Sequence, residues 1–291
     1  MRDDFCVFIL THGRANNVIT METLKKCGYT GKCYIVIDNE DDQADEYKRI
    51  YGDKVIVFDK LAESEKFDTM DTQRNRNTIV YARNACFSIA KQVGVRYFCE
   101  LDDDYKSFEY RWVENGKLKV KSVENMDDVF TAYLGFLIAT RADTVALAQG
   151  GDFVGGANGE NVKKRVLRKA MNSFICDAEN PFTFIGRINE DVNTYTRLGS
   201  VGKLFLTATD CSLVQVQTQA GSGGMTGVYL DSGTYVKSFY TVMAMPSCVK
   251  IGTMGSIHKR MHHSIEWQHC VPKIINEKWK KVSKWHDHEQ K

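Results

Sequence analysis

The sequence predicts an α/β fold, a mixed and mostly parallel sheet flanked by helices. Three observations carry that expectation. Short apolar runs of strand length alternate with helix-length amphipathic segments through the first third of the chain. Each run ends in a polar or acidic turn, the place where ligands bind in open parallel sheets. The composition is that of a globular chain: 291 residues, 43% hydrophobic and 26% charged, with three prolines. That is enough for a sizeable core, and it excludes broad disorder and proline-rich linkers.

The elements follow in order. Phe5–Leu10 is a continuous apolar strand, too short for a signal-peptide core, and it ends in the turn Thr11-His12-Gly13-Arg14. Val18, Ile19, Met21 and Leu24 in helical register predict a helix over residues 16–27, stopped by Gly28. Cys33–Ile37 is a second strand leading into the acidic turn Asp38–Asp42. A helix over Asp45–Tyr51, a strand at Val55–Phe58 and a helix over Thr78–Val93 come next. The fourth strand, Tyr97–Leu101, runs straight into Asp102-Asp103-Asp104.

The second half is less regular. Arg111–Val123 reads as a hairpin around Asn115-Gly116, and Val129–Thr140 as a helix. Gly150–Gly159 reads as a glycine-rich loop, and a second glycine cluster, Ala220–Gly227, precedes strand-like runs at Val228–Leu230 and Phe239–Met245. No repeat or composition break divides the chain, so residues 1–291 are expected to form a single domain.

Charge and cysteine usage narrow the classes. Lys and Arg number 39 against 37 Asp and Glu, a net charge of +2. That excludes a strongly basic tail or coat while leaving room for a local basic groove. The nine cysteines are odd in number and show no Cys-x-x-Cys pair, which argues against a zinc ribbon or disulfide framework and for a reducing, cytoplasmic setting. No apolar stretch approaches membrane-spanning length, so no membrane partner is expected.

Three groups of residues carry chemistry. The carboxylates of Asp102, Asp103 and Asp104 repel one another unless a cation neutralises them, and hard oxygen ligands suit Mg2+ or Mn2+. A solvated acidic turn is the competing explanation. Glu190 and Asp191 precede an apparent helix over Val192–Leu198, where an acid also complements the helix dipole. Lys163, Lys164, Arg165, Arg168 and Lys169 form a basic stretch, and Lys273, Lys278, Lys280, Lys281 and Lys284 interleave with Trp279 and Trp285 near the end. Interleaved Lys and Trp suit a nucleic-acid surface as well as a solvated helix.

The run from Ala82-Arg83-Asn84 through Tyr97–Leu101 to Asp102–Asp104 resembles the nucleotide-sugar core of GT-A-fold glycosyltransferases. Thr11, Arg14 and Asp38 at the first two strand ends resemble that family's opening strands. Over its whole length the chain resembles a narrower group, the TET-associated glycosyltransferases of bacteriophages. The matching stretches are Thr11–Arg14, Gly31–Val36 leading to Asp38, Asp45-Glu46-Tyr47, Tyr51–Phe58, Arg260–His263 and Val271–Ile274.

The resemblance implies a GT-A-like, Rossmann-type fold, with residues 1–104 binding the nucleotide sugar and 105–291 holding acceptor and catalytic groups. It implies a UDP-sugar donor in a pocket lined by Thr11, Arg14 and Asp38, with Asp102 and Asp103 toward the ribose and diphosphate and Arg83 either contacting the diphosphate or holding the acidic loop in place by a salt bridge. It implies Mn2+ or Mg2+ held by Asp102, Asp104 and a late histidine such as His258, with His262 and His263 as alternatives. Asp191, then Glu190, would be the catalytic base. Arg187 would pair with that base or with phosphate. The acceptor would be the hydroxymethyl group of 5-hydroxymethylcytosine or a related pyrimidine in phage DNA, held by the basic stretch, in the cytoplasm of an infected bacterium. Competing expectations are the same chemistry on a protein, lipid or saccharide, and a non-catalytic nucleic-acid-binding module. A nucleotidyltransferase should show a glycine-rich loop after the first strand, and only Gly13 stands there.

Overall fold

The computed structural model describes residues 1–72, 76–215, 236–254 and 259–270. The first half alternates as the sequence predicts: β1 (Phe5–Leu10), α1 (Ile19–Lys26), β2 (Lys32–Asp38), α2 (Ala44–Tyr51), β3 (Val55–Phe58), α3 (Lys60–Ser64), α4 (Val80–Gln92) and β4 (Tyr97–Asp102). A hairpin of β5 (Tyr105–Glu114) and β6 (Lys117–Ser122) follows, then α5 (Met126–Thr140), β7 (Thr144–Ala148), α6 (Glu160–Lys164), β8 (Val166–Leu167) and β9 (Phe174–Asp177). The described residues end with α7 (Glu190–Ser200), β10 (Phe205–Gln215), α8 (residues 236–244), β11 (Val249–Met254), β12 (Arg260–Ile265) and α9 (Trp267–Cys270).

Among the described residues ten strands form one mixed sheet in the order β3-β2-β1-β4-β9-β7-β10-β5-β6, with β8 beside β10. β1, β2, β3 and β4 are parallel, as are β7 and β10, while β9, β5 and β8 run against them. A separate antiparallel pair joins β11 to β12.

β1 is apolar at every position because both its faces are covered. Phe5, Val7 and Ile9 pack toward α1 and α5, and Cys6, Phe8 and Leu10 toward α4 and α7. Aromatic pairs seal each layer, Phe5 on Phe130 at 5.3 Å and Phe98 between Phe8 and Phe87 at 5.5 and 5.1 Å. The parallel ends of β1, β2 and β4 deliver Thr11, Asp38 and Asp102 to one side of the sheet.

Three expectations need correction. Phe239–Met245 is not strand-like: residues 236–244 are helical, with Ser238, Tyr240 and Thr241 buried and Phe239 and Met243 left exposed. That spacing is helical, and the apolar residues that suggested a strand sit on the outer face. Gly150–Gly159 is not plain loop but contains two short 3-10 turns, Gly150–Phe153 and Gly156–Asn158, the first held by reciprocal bonds between Gln149 and Asp152. The hairpin starts earlier than expected, at Tyr105, because Tyr105 and Phe108 anchor its base in the core. Ala220–Gly227 and Val228–Leu230 lie outside the described residues.

Gly28 closes α1 at φ +74°, where a Cβ would stand 2.6 Å from the backbone oxygen of Glu124. A left-handed side chain costs roughly 1–3 kcal/mol before any clash. Gly28→Ala should therefore lower the urea midpoint by at least that equivalent, with an unchanged m value showing that the fold itself survives.

Candidate active site

A cavity of 1810 Å³ opens over the strand ends. Its walls come from the β1–α1 turn, the end of β2, the acidic turn after β4, the start of α7, residues 164–172 and β12. The structure thus brings Thr11, Arg14, Asp38, Arg83 and Asp102–Asp104 together with Glu190 and Asp191, which lie far apart in sequence.

At one end, Asp38 is buried and fully engaged. Its Oδ2 accepts from His12 Nδ1 at 2.8 Å and Lys60 Nζ at 3.1 Å, and its Oδ1 from the Glu40 amide at 3.0 Å. Burial pushes the Asp38 carboxyl up, but the His12 bond and the Lys60 charge outweigh it and hold it below the usual value. The same bond raises His12. Gly13, at φ +66°, donates its amide to Asp41 Oδ2 at 2.8 Å and so fixes the turn. His12, Asp41 and Lys60 are site residues that motif reading misses. His12 stood inside the matched turn, whereas Lys60 reaches the site only because β3 lies beside β2.

The three aspartates have three destinations. Asp103 accepts from Thr11 Oγ1 at 2.6 Å and Arg14 Nη1 at 2.9 Å, while Tyr47 Oη lies 2.9 Å from Thr11 Oγ1 and accepts the Arg14 amide at 2.8 Å. Thr11, Arg14 and Asp103 therefore clamp two loops together, instead of presenting free groups to a ligand. Asp102 turns to Arg83, and Asp104 lines the cavity.

Arg83, 2% exposed, donates through Nη2 to Asp102 Oδ1 at 3.2 Å and through Nε to Glu190 Oε1 at 3.1 Å. Its Nη1 stands 3.6 Å from Glu100 Oε2. The guanidinium lies over the rings of Phe174 and Phe184, at 4.7 and 5.9 Å. One cation faces three acids here. Burial pushes Glu100 up to about 8 and Asp102 up to about 7, with the neighbouring carboxylates Asp104, Asp103 and Glu190 adding to the rise at Asp102. Asp104 is raised by burial and by Asp103. A buried oxygen set with surplus negative charge fits a hard divalent cation at Asp102 and Asp104. Among the described residues no three His, Cys, Asp or Glu side chains stand together as a closed metal set.

Glu190 and Asp191 open α7, behind Asn189 at φ +56°. Asn189 Nδ2 donates to the Lys237 carbonyl at 2.8 Å and Thr241 Oγ1 at 3.1 Å, which ties this corner to α8. Asp191 Oδ1 accepts the Val192 amide at 2.7 Å. Glu190, held by Arg83, is raised by burial and by Asp191. Arg187 is not with these acids: its Nε donates to Asp71 Oδ2 at 2.7 Å, and Tyr240 joins the same carboxylate. His262 and His263 stack at 4.2 Å and both line the cavity, and burial beside His262 and Lys237 pulls His263 down to about 4. His258 lies outside the described residues.

The basic stretch divides. Lys164, Arg168 and Lys169 line the cavity, whereas Lys163 and Arg165 do not. Arg165 pairs with Asp210, and Lys169 with Asp152. Trp267, unforeseen from sequence, stacks on Tyr195 at 5.7 Å in the same wall. Lys273, Lys278, Lys280, Lys281 and Lys284, with Trp279 and Trp285, lie outside the described residues. No helix among the described residues is long and apolar enough to cross a membrane.

A sequence profile for the family described as TET-Associated Glycosyltransferase matches residues 5–224. No curated protein matches the chain. Among solved structures, the chain is similar to S. aureus TarS 1–349, at 15% identity and a TM-score of 0.41, covering 72% of this chain and 59% of that one. It is also similar to glucosyl-3-phosphoglycerate synthase from Mycobacterium tuberculosis, solved with Mn2+, UDP and phosphoglyceric acid. That match has 9% identity and a TM-score of 0.45, over 90% of this chain and 87% of that one.

Removing one partner of a buried ionic cluster strands the others at about 3–5 kcal/mol. Arg83→Met should cost that much in urea unfolding at neutral pH, because Asp102, Glu100 and Glu190 lose their shared cation. A second expectation concerns His12, whose folded-state pKa lies above the ordinary 6.5 through its bond to Asp38. Protonated His12 contributes stability that is full below 6.5 and fades as pH rises through the raised value. Thermal melts of His12→Gln above pH 6.5 should fall less steeply with pH than those of the unaltered chain; parallel curves would show that the bond is energetically silent.

Proposed function

The chain belongs to the TET-associated glycosyltransferase family, and from that premise we propose that it moves a sugar from a UDP-sugar to a hydroxymethylpyrimidine in DNA. The acceptor we infer is the hydroxymethyl group of 5-hydroxymethylcytosine in phage DNA, which puts the reaction in the cytoplasm of an infected bacterium. One observation carries the reading: the acidic turn Asp102–Asp104 and the carboxylates Glu190 and Asp191 share one cavity. Donor activation and acceptor deprotonation need such groups on facing walls.

The division of labour follows from what each group already touches. Asp38, His12 and Lys60 form a polar end for the nucleoside, fixed by their mutual bonds. Asp102 and Asp104 would hold Mn2+ or Mg2+, which when bound neutralises the departing diphosphate. Lys164 and Arg168 give the acceptor side positive charge against a phosphate backbone, whereas Lys169 is neutralised by Asp152.

Asp191 suits the base better than Glu190. The Val192 amide fixes Asp191 Oδ1 at the helix start. Glu190 is occupied by Arg83. In the step, the acceptor oxygen forms a bond to the anomeric carbon as its proton passes to Asp191. The bond from that carbon to the diphosphate breaks, and the electron pair leaves with the diphosphate.

Incubation with Mn2+, a panel of UDP-sugars and DNA carrying cytosine or 5-hydroxymethylcytosine, followed by nucleoside mass analysis, tests the reading. A hexose or pentose increment is expected only on the hydroxymethylated DNA; transfer to peptide or glycan with none to DNA overturns the acceptor. Asp191→Asn should lower turnover by about a hundredfold or more while nucleotide binding persists. Retained turnover would move the base to Glu190.

A further inference from the structure

The β5–β6 hairpin carries a surface that the cavity does not use. Among the described residues β6 is the outermost strand on its side of the sheet, and the turn at Asn115-Gly116 has both residues at positive φ, +50° and +70°. The register sets Trp112 opposite Lys119, Tyr110 opposite Lys121 and Glu114 opposite Lys117. Opposed residues of an antiparallel pair share a face, so Trp112 lies among Lys117, Lys119 and Lys121 on one side of the ribbon. The other face packs inward only in part: Leu118 joins Ala148, Phe153 and Val162, and the Arg111 guanidinium covers the Phe153 ring at 4.9 Å, while Val113 and Val120 toward the turn stay exposed.

From Arg111 to Lys121 there are four cations against one acid, Glu114. Lys119 Nζ is 4.0 Å from Glu114 and Lys121 Nζ is 3.4 Å from Glu124, both exposed pairs. Such pairs are worth little and exchange readily for another anion. Lysines on an edge strand also discourage pairing with a second sheet, but that purpose gives no reason for Trp112 to stand 42% exposed among them. Alternate lysines on a strand are roughly 7 Å apart, a row that a phosphate backbone can follow. β5 begins at Tyr105, directly after Asp104, so the ribbon rises from the cavity's acidic turn. Its inner face meets Val162 of α6, the helix that carries Lys164 to the cavity wall.

We propose that the Trp112–Lys117–Lys119–Lys121 face of the β5–β6 ribbon is a docking surface for DNA, its lysines on the phosphates and Trp112 stacked on an unpaired base. The proposal rests on the reading that the acceptor is DNA. It extends the acceptor-binding surface from the cavity wall to the edge of the sheet, so that a strand entering the cavity is gripped outside it.

Fluorescence anisotropy with labelled single-stranded and duplex oligonucleotides, titrated at several salt concentrations, tests it. The triple variant K117S/K119S/K121S should lose about tenfold or more in affinity. Its slope of log affinity against log salt should shrink by roughly 2, as two or three phosphate contacts require. K117R/K119R/K121R should restore both. Trp112→Ala should weaken single-stranded binding by about tenfold, the loss of one stacked base, with the salt slope kept. Circular dichroism confirms that each variant is folded. Wild-type affinity and slope in the triple serine variant would overturn the ribbon alone. Failure of the unaltered chain to bind DNA at any salt would instead overturn the acceptor reading together with the ribbon.

Discussion

The site is organised around a single buried guanidinium. Arg83 rises from the first turn of α4, reaches Glu100 and Asp102 on β4, and reaches Glu190 at the start of α7. Three elements, the last of them 107 residues beyond Arg83, are therefore held at one charge. The compensation is incomplete: one cation meets three acids, and burial pushes Glu100 and Asp102 up. A cluster of this kind contributes geometry more than stability, because the desolvation of its members offsets most of their attraction. What it secures is the distance between the acidic turn and the helix that begins with Glu190 and Asp191.

Asp103 shows the opposite solution. It meets one cation, Arg14, and one hydroxyl, Thr11, and both its oxygens are satisfied. Adjacent residues of one acidic triplet thus do different work. Asp103 locks the β1 turn, and Asp102 and Asp104 keep surplus charge in the cavity. The backbone explains the division, since Thr20 binds the carbonyls of both Asp102 and Asp103 and pins the turn as the strand ends. Side chains leaving a pinned turn point in different directions.

That division also marks the boundary of what sequence reading could reach. The parallel half was legible because β1, the end of β2 and β4 are buried on both faces and read as apolar runs, broken in β4 only by Glu100. The acidic triplet and the Glu190-Asp191 pair were legible as chemistry that needs company. Their company was not. Lys60 belongs to the site only through the pairing of β3 with β2, and Arg187 is drawn off by Asp71 and Tyr240, over a hundred and about fifty residues away respectively. The basic stretch looked uniform, yet α6 is a five-residue turn ended by Arg165 at φ +60°, which sends neighbouring side chains to different places. Residues 236–244 misled because an exposed Phe and Met imitate a strand's apolar alternation.

The net charge of +2 can now be placed in space. Negative charge collects at the cavity floor around Asp102, Asp104 and Glu190, and positive charge at the wall with Lys164 and Arg168 and on the β5–β6 ribbon. These fields act on different ligands. On the proposed reading, a diphosphate approaching the floor would meet carboxylates at close range, and a cation held there would reverse the local sign. A polyanionic strand approaching from outside meets the basic rim first and is attracted over about a Debye length, roughly 8 Å at physiological salt. Neutralising rim lysines would therefore slow encounter without altering the floor, while changing the floor's carboxylates would leave the rim's pull intact. On the proposed reading, two anionic substrates would share one cavity because their charges would be answered in separate places, one by the protein's own lysines and arginines and the other by a cation that the carboxylates would hold.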